Sequence, residues 1–398
     1  MKTVDYENIR KFGYYLFEQM AGDENPVISP VSAYLTLTVA GCGADGTTRD
    51  EFYNVLGKNM EMLSGGINNI FSKQDGDENL FLSNSVWIDK RFMVNNEWAD
   101  TVKHLAGAEI FQAELFRKET MDAINQWVCS KTNGMIDLLQ TEPFDRQVML
   151  ALFDTIFFRG KWAYPFQMYK TKKEPFHLNS RQTALFLPQT KQVDMMNRNG
   201  SQLDYISNGF AEGIILPYHT NKEIRYDKTR PHDKNMQEGM DSCGILVFVA
   251  IKPRENISIR EVCHRLDSKT MKKLMKSRRT KMIDLKLPKF EVVFDKMLNE
   301  SLINMGLDEC FDMENADFTF MGKSQRGEKL YVKLMRQKSK IIVNEQGTEA
   351  AAVSELLGAP RAVLKTKKLY FNEPFFYMIM DMNTEVPLFI GILDNPMS

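Results

Sequence analysis

The chain has 398 residues, 43% hydrophobic and 26% charged, with 51 basic side chains against 52 acidic ones. A net charge of −1 leaves no global field to gather DNA, RNA or anionic lipid. No apolar run approaches the roughly 20 residues that span a bilayer, and the start Met1-Lys2-Thr3-Val4-Asp5 lacks the apolar core of a cleavable signal peptide.

In chain order, Ile9, Phe12, Leu16 and Phe17 recur at helical spacing and predict a first helix. Ser29 is a fitting cap and Pro30 a fitting first residue for a second. It runs through Tyr34, Leu35, Leu37 and Val39 to a glycine stop at Gly41-Cys42-Gly43. Thr47, Asp50 and Glu51 open a third, with Phe52, Val55 and Leu56 facing inward. Residues 81–88, 148–158, 245–251 and 282–287 are rich in β formers and read as strands, with helices over 95–105 and 121–128 among them. Residues 374–380 and 386–393 are near-continuous apolar runs, expected as buried strands around a polar turn at 381–385. The mixture is α+β, without regular βαβ alternation and without an internal repeat. One domain over 1–398 is expected.

Two segments break the pattern. Residues 219–242 are polar and aperiodic and read as a surface insertion. Residues 345–368 are more informative. Successive strand side chains face opposite ways. From Thr348, one face would carry Thr348, Ala350, Ala352, Ser354, Leu356 and Gly358, all small or apolar. The other would carry Glu349, Ala351, Val353, Glu355, Leu357 and Ala359, so both glutamates fall on one side. No proline intervenes before Pro360. This is an exposed segment with the pattern of a half-buried strand.

The run Glu345-Gln346-Gly347-Thr348-Glu349-Ala350-Ala351-Ala352 resembles the reactive-loop hinge of the serpin family. Further motifs follow in serpin order: Ser29-Pro30-Val31-Ser32, Ile124-Asn125-Gln126-Trp127-Val128, Lys131-Thr132-Asn133-Gly134, Phe157-Phe158-Arg159-Gly160-Lys161-Trp162, Leu216-Pro217-Tyr218, Leu287-Pro288-Lys289-Phe290, Ala316-Asp317-Phe318 and Phe371-Asn372-Glu373-Pro374-Phe375. The resemblance implies an α+β serpin fold, about nine helices around three β-sheets with an exposed reactive-centre loop at about 345–368. It also implies a suicide-substrate inhibitor of serine proteases rather than an enzyme. The hinge and inserting residues would be Glu345, Gly347, Thr348, Glu349, Ala350, Ala351, Ala352, Val353 and Ser354.

Counting thirteen residues on from the hinge threonine, as the family's spacing implies, gives Arg361 as the bait and Arg361-Ala362 as the scissile bond. Arginine suits a protease pocket ending in a carboxylate. Pro360 favours the extended backbone a cleft requires. The expected partners are therefore trypsin-like proteases, whether thrombin-, kallikrein-, plasmin- or trypsin-like. The family's polar cluster beneath the opening of the main sheet, its shutter, matches Ser29 and Ser32, but its asparagine is here Asp154 and its histidine Gln337. A hydrogen bond between those two is expected to compensate. Trp162 matches the breach, where the loop enters.

Other signals weigh less. Gly41-Cys42-Gly43-Ala44-Asp45-Gly46 fits GxGxxG, but no strand precedes it. Gly322-Lys323-Ser324 lacks the earlier glycine of a phosphate loop. No nucleophile–His–acid arrangement and no metal-ligand spacing occurs, and no cofactor is expected. The basic run Lys269–Lys281 could attract a sulfated polysaccharide. Five scattered cysteines and no signal peptide lean toward the cytoplasm. The arginine bait and three sequons, at Asn199, Asn256 and Asn299, favour an extracellular site of action. The alternative to an inhibitor is a non-inhibitory carrier or chaperone. The absence of bulky or charged residues on the hinge's buried face argues against it. A monomer is expected.

Overall fold

The computed structural model describes residues 5–71, 79–178, 189–219, 246–324, 326–348 and 366–396. Nine α-helices lie among them: α1 (Glu7–Glu18), α2 (Pro30–Gly43), α3 (Gly46–Leu56), α4 (Met60–Phe71), α5 (Asn96–Ala106), α6 (Lys118–Lys131), α7 (Ile259–Arg265), α8 (Ser268–Lys276) and α9 (Asn299–Asn304). The expected α+β architecture is the observed one.

The site depends on a sheet built from β2 (Asn79–Asp89), β4 (Glu109–Ala113), β5 (Leu150–Lys161), β11 (Phe290–Met297) and β13 (Leu334–Val343). Its order is β11-β13-β5-β2-β4, and the two-residue strand β14 (Gly347–Thr348) pairs with the end of β5. A second sheet runs β1 (Val27–Ile28), β17 (Pro387–Leu393), β16 (Phe375–Asp381), β9 (Leu246–Pro253), β8 (Ala211–Pro217), β7 (Thr190–Ser207), β10 (Arg279–Pro288), β15 (Lys367–Tyr370), with β6 (Lys172–His177) also on β7. A third pairs β3 (Phe92–Val94) with β12 (Gly322–Ser324).

Strand parity decides which side of the first sheet each residue serves. On β5, Leu150, Leu152, Ile156 and Phe158 enter the main core, which includes α2. Ala151 and Phe153 enter a second core with Ile124, Trp127 and Val128 of α6. Asp154 therefore points with Leu152 and Ile156 toward α2. That helix is buried at every residue except Cys42, which is only partly covered. A helix apolar all round belongs in a core, not on a surface. The Ser29 hydroxyl accepts from the Ser32 N–H at 3.2 Å and caps it, with Pro30 as its first residue, as expected.

Three expectations need adjustment. The helix does end at Gly43, but Gly41 and Gly43 are not left-handed stop residues, since neither has a positive φ. They are there for space. A Cβ on Gly43 would lie 2.8 Å from the Met321 Cβ, and one on Gly41 2.9 Å from Phe52. Both described ends of the span read as a loop, about 345–368, carry strand pairings. Gly347–Thr348 pairs as β14, and Lys367–Tyr370 pairs parallel to β10. The strand read over 148–158 begins at Leu150 and runs on to Lys161.

The insertion expected over 219–242 falls outside the described residues after His219. Gly43→Ala should be destabilising by about 1–3 kcal/mol through overpacking, read as an earlier midpoint in urea unfolding. An unchanged midpoint would mean that α2 has slack beside Met321.

Candidate functional site

The hinge is a four-residue reversal. The Asn344 N–H donates to the Gly347 carbonyl at 2.9 Å, the Gly347 N–H returns to the Asn344 carbonyl at 3.3 Å, and the Asn344 side chain accepts from the Gln346 N–H at 3.0 Å. The chain leaves β13, turns, and comes back as β14, antiparallel to β5, with Gly347 opposite Lys161 and Thr348 opposite Gly160. Gly347 has φ +150, and a Cβ there would lie 2.0 Å from the Gly160 carbonyl oxygen. Only glycine lets the two backbones approach so closely.

Trp162 clamps this turn. Its indole N–H donates to the Asn344 carbonyl at 2.9 Å, and its backbone N–H donates to the Gln346 carbonyl at 2.8 Å. The ring is buried and stacked on Tyr218, with centroids 4.7 Å apart and planes 11° from parallel. Phe248 closes edge-on at 5.6 Å. Glu345 is held from three sides. Its carbonyl accepts from the Phe166 N–H at 2.7 Å, and its carboxylate accepts from the Thr171 hydroxyl at 2.8 Å and pairs with Lys289 at 3.1 Å. Burial works to raise the Glu345 pKa. Its own backbone N–H, the Thr171 hydroxyl and the Lys289 ammonium outweigh that and hold it below the usual value.

Below the hinge runs a seam. β13 and β5 are parallel neighbours from Leu334 opposite Ala151 to Lys340 opposite Phe157. Among the described residues, the end of β13, Ile341 to Val343, pairs with β11 on its far side and not with β5. The seam is thus closed along its length and parted at the top, where β14 sits.

Midway along the seam lie the predicted polar residues. Ser29, Ser32, Asp154 and Gln337 do come together, all buried. Gln337 Nε2 donates to Asp154 Oδ1 at 2.7 Å and to the Ser29 carbonyl at 3.0 Å, while its Oε1 accepts from the Ser29 N–H at 2.7 Å. The expected Asp–Gln bond is present. It satisfies only one carboxylate oxygen, since Asp154 Oδ2 has no hydrogen-bond partner. Burial pushes the Asp154 carboxyl up to about 7, against the opposing pull of Gln337 and Ser32. The single Ser32 proton is shared, for its hydroxyl also lies 3.3 Å from Asn84 Oδ1.

Asn84 was missed from the sequence. It lies opposite Asp154 on β2, and its Oδ1 accepts from the Thr36 hydroxyl at 2.9 Å. Asn84, Asp154 and Gln337 thus form one row across three adjacent strands. Asn84 had a signal: it interrupts the inward set Leu82, Val86 and Ile88. Thr171 had none, because only the fold brings it to Glu345.

The remaining predicted residues, Glu349, Ala350, Ala351, Ala352, Val353, Ser354, Pro360, Arg361 and Ala362, lie outside the described residues. The chain beyond them is anchored as β15, where Lys367 pairs with Glu212 at 2.7 Å. The basic run 269–281 divides between α8 and the start of β10. Lys269, Lys272, Lys273 and Lys276 face solvent while Met271, Leu274 and Met275 face the core. Gly322-Lys323-Ser324 forms β12, not a loop before a helix. Cys263 is buried and its thiol is pushed up by burial, while His264 turns to Glu18 instead. Of the sequons, Asn199 and Asn256 are exposed, but the Asn299 amide donates to the Lys333 carbonyl at 3.0 Å. Among the described residues, no cluster of His, Cys, Asp and Glu could hold a metal ion, and no helix is long and apolar enough to cross a membrane.

A hinge strand at the open end of a parallel seam, over a buried polar row, is serpin architecture. The family model described as serpin (serine protease inhibitor) matches residues 7–396. The chain belongs to the serpin family. Neuroserpin from Mus musculus is 25% identical over 407 residues, covering 99% of this chain and 92% of that protein. The native structure of tengpin, a thermophilic serpin, superposes with TM-score 0.84 at 29% identity, covering 99% of this chain and 95% of that one. Thyroxine-binding globulin in complex with thyroxine superposes with TM-score 0.80 at 22% identity, covering 98% of each chain. The fold therefore houses a thyroxine-binding protein as well as members of a family described as serine protease inhibitors.

A carboxylate with a lowered pKa stabilises above its unfolded value and loses that contribution as pH falls through the folded one. Acid below the usual glutamate range, about 4.3, should therefore release the hinge as Glu345 is protonated and parts from Lys289. Tryptophan fluorescence should report it through Trp162, and Glu345→Gln should remove the acid step. A step of equal size in the variant would assign the transition elsewhere.

Proposed function

We propose that this serpin inhibits trypsin-like serine proteases by being cut at Arg361-Ala362 and inserting its own loop, from Thr348 onward, between β13 and β5. The observation that carries this reading is the register of β14. Six residues beyond Thr348 is Ser354, and six residues before its partner Gly160 is Asp154. Counted from the Asn344–Gly347 turn instead, seven residues beyond Gly347 is again Ser354, and seven before Asn344 is Gln337. For a strand that continued β14 in the same register, the two counts, one from each flanking strand, would agree on one place for the small hydroxyl of Ser354, between Asp154 and Gln337. A strand continuing β14 would replace their direct bond with a hydroxyl able to donate to one and accept from the other.

On insertion in that register, Thr348, Ala350, Ala352, Ser354, Leu356 and Gly358 would lie on the α2 side of the sheet. None would carry a charge into the core. Each added ladder bond contributes roughly 1 kcal/mol net, and burying apolar area adds about 25 cal/mol per Å². Insertion of a serpin loop as a strand is itself a standard example of strand addition and of stored-strain release, so this step follows the family rather than departing from it. The uncut segment is tied at β14 on one sheet and at β15 on another, so cutting frees one end.

The protease serine would attack the Arg361 carbonyl and form an acyl-enzyme, with Ala362 as the new amino terminus. Insertion drags the bound protease with it. Shifting catalytic groups by about 1 Å is enough to stall deacylation. Pro360 and Arg361 suit a thrombin-, kallikrein-, plasmin- or trypsin-like enzyme, and the arginine bait with the exposed Asn199 and Asn256 sequons supports action outside the cell.

Incubation with trypsin should give an SDS-resistant complex, and mass spectrometry should place the new terminus at Ala362. Thr348→Arg should convert the inhibitor into a substrate by setting a charge against the core. Release of free, active trypsin with no gain in heat resistance of the cut chain would count against insertion, and thyroxine-like carriage without any adduct would favour the carrier reading.

The exposed lysines of α8 support a sulfated polysaccharide as an accessory partner. Heparin should then speed inhibition at low salt, and the gain should shrink as salt screens the helix. A rate indifferent to both would remove the polysaccharide from the scheme.

A further inference from the structure

The row Asn84–Asp154–Gln337 crosses the one seam that has to part for a strand to enter, and Asp154 is its only ionisable member. We propose that the proton on Asp154 acts as a catch on the seam between β5 and β13, so that losing it lets the two strands separate. The inference rests on the loop-insertion reading, because the catch shows itself only when a strand enters the seam.

Among the described residues, no charged group compensates Asp154; only burial, Gln337 and Ser32 act on it. Asn84 on β2 and Gln337 on β13 lie opposite it, Ser32 reaches it from α2, and Ser29 at the cap of α2, Thr36 and Ser339 bond to those partners; all are buried and neutral. The cations nearest in sequence on β13 are Arg336, Lys338 and Lys340. They alternate to the opposite face, where Arg336 and Lys338 pair with Asp295 and Lys340 with Glu291. A proton on Oδ2 leaves one hydrogen bond unmade. Its loss leaves a full charge in the core with one oxygen unpartnered, and that is the costlier state.

Burial holds this carboxyl protonated up to about pH 7. Parting β13 from β5 removes Gln337 and admits water or an incoming hydroxyl, either of which solvates the ion. The opened sheet therefore binds the proton less tightly than the shut one. By linkage, opening becomes easier as pH rises through the interval between the ordinary carboxylate range and about 7, and stops changing above it. Acid keeps the seam shut; neutral and mildly alkaline conditions loosen it.

The test uses the intact chain and a synthetic peptide of the sequence 348–359 as the probe for an open seam. Peptide uptake, followed by native electrophoresis, should quicken by up to about tenfold per pH unit between pH 5 and 7 and then level off. Asp154→Asn, which keeps the shape and removes the proton, should flatten that profile. The same rise in both proteins, or uptake that slows with pH in the wild type, overturns the catch. Uptake by neither protein at any pH overturns the insertion reading, and the catch with it. Should the variant fail to fold, infrared spectra of the wild type decide. The carbonyl stretch of one protonated carboxyl should vanish near pH 7, and a band already absent at pH 5 or unchanged at pH 9 overturns the proposal.

Discussion

The reversal at Asn344–Gly347 is the constraint on which the rest of the site depends. Because both backbone bonds across it are made, the strand that follows has one register against β13 and, through Gly347, one register against β5. The glycine is what permits it, since any Cβ would strike the Gly160 carbonyl. Trp162 then fixes the turn in space from the end of β5 itself. On the proposed insertion, a chain that enters the seam in a set register would need no search to find its pairing. Its alternation of small and acidic residues would acquire an inside and an outside only through that register.

On the proposed mechanism, the shut sheet is held by a barrier rather than by being the lowest state. Opening breaks the ladder between Leu334–Lys340 and Ala151–Phe157 before any new bond forms. It also disturbs a polar row sealed from water, where each group left unpaired costs about 1–3 kcal/mol. The inserted strand would later bond on both sides, so the loss is recovered twice over. What decides the rate is the middle of the path, where the ladder is open and the row unpaired. Residues of that row therefore govern how fast the molecule changes, more than how far downhill it goes.

Much of this could be read from the sequence, and the reasons are local. The cap Ser29, the start at Pro30 and the buried runs now seen as β16 and β17 follow from short-range chemistry. The hinge motif carried the architecture by resemblance, and strand parity predicted which hinge faces are small. Asn84 was within reach, as a lone amide among inward apolar residues of β2, and went unread because a strand's inward face is known only once its partners are. Thr171 and Lys289 could not be joined to Glu345 by spacing, since they lie on segments that only the fold gathers. The glycines at Gly41 and Gly43 misled for a related reason: a missing Cβ serves a turn or a close neighbour equally well, and only packing tells which.

The exchange of an amide for a carboxyl at position 154 is not repaired symmetrically by Gln337. Both donors of that glutamine are spoken for, one by Asp154 Oδ1 and one by the Ser29 carbonyl, and its oxygen accepts from the Ser29 N–H. It is therefore locked and cannot turn its oxygen toward a protonated Asp154. Asn84 is fixed in the same way, its oxygen taken by Thr36 and Ser32. The shortfall of the whole row is thus concentrated on a single atom, Asp154 Oδ2. An asparagine there would spread polarity evenly and stay indifferent to pH. A carboxyl instead makes the closed seam depend on whether one proton is present, at the very position where the proposed insertion would set a hydroxyl. The departure from the family's usual residues is then less a loss of the polar cluster than a change in what controls it.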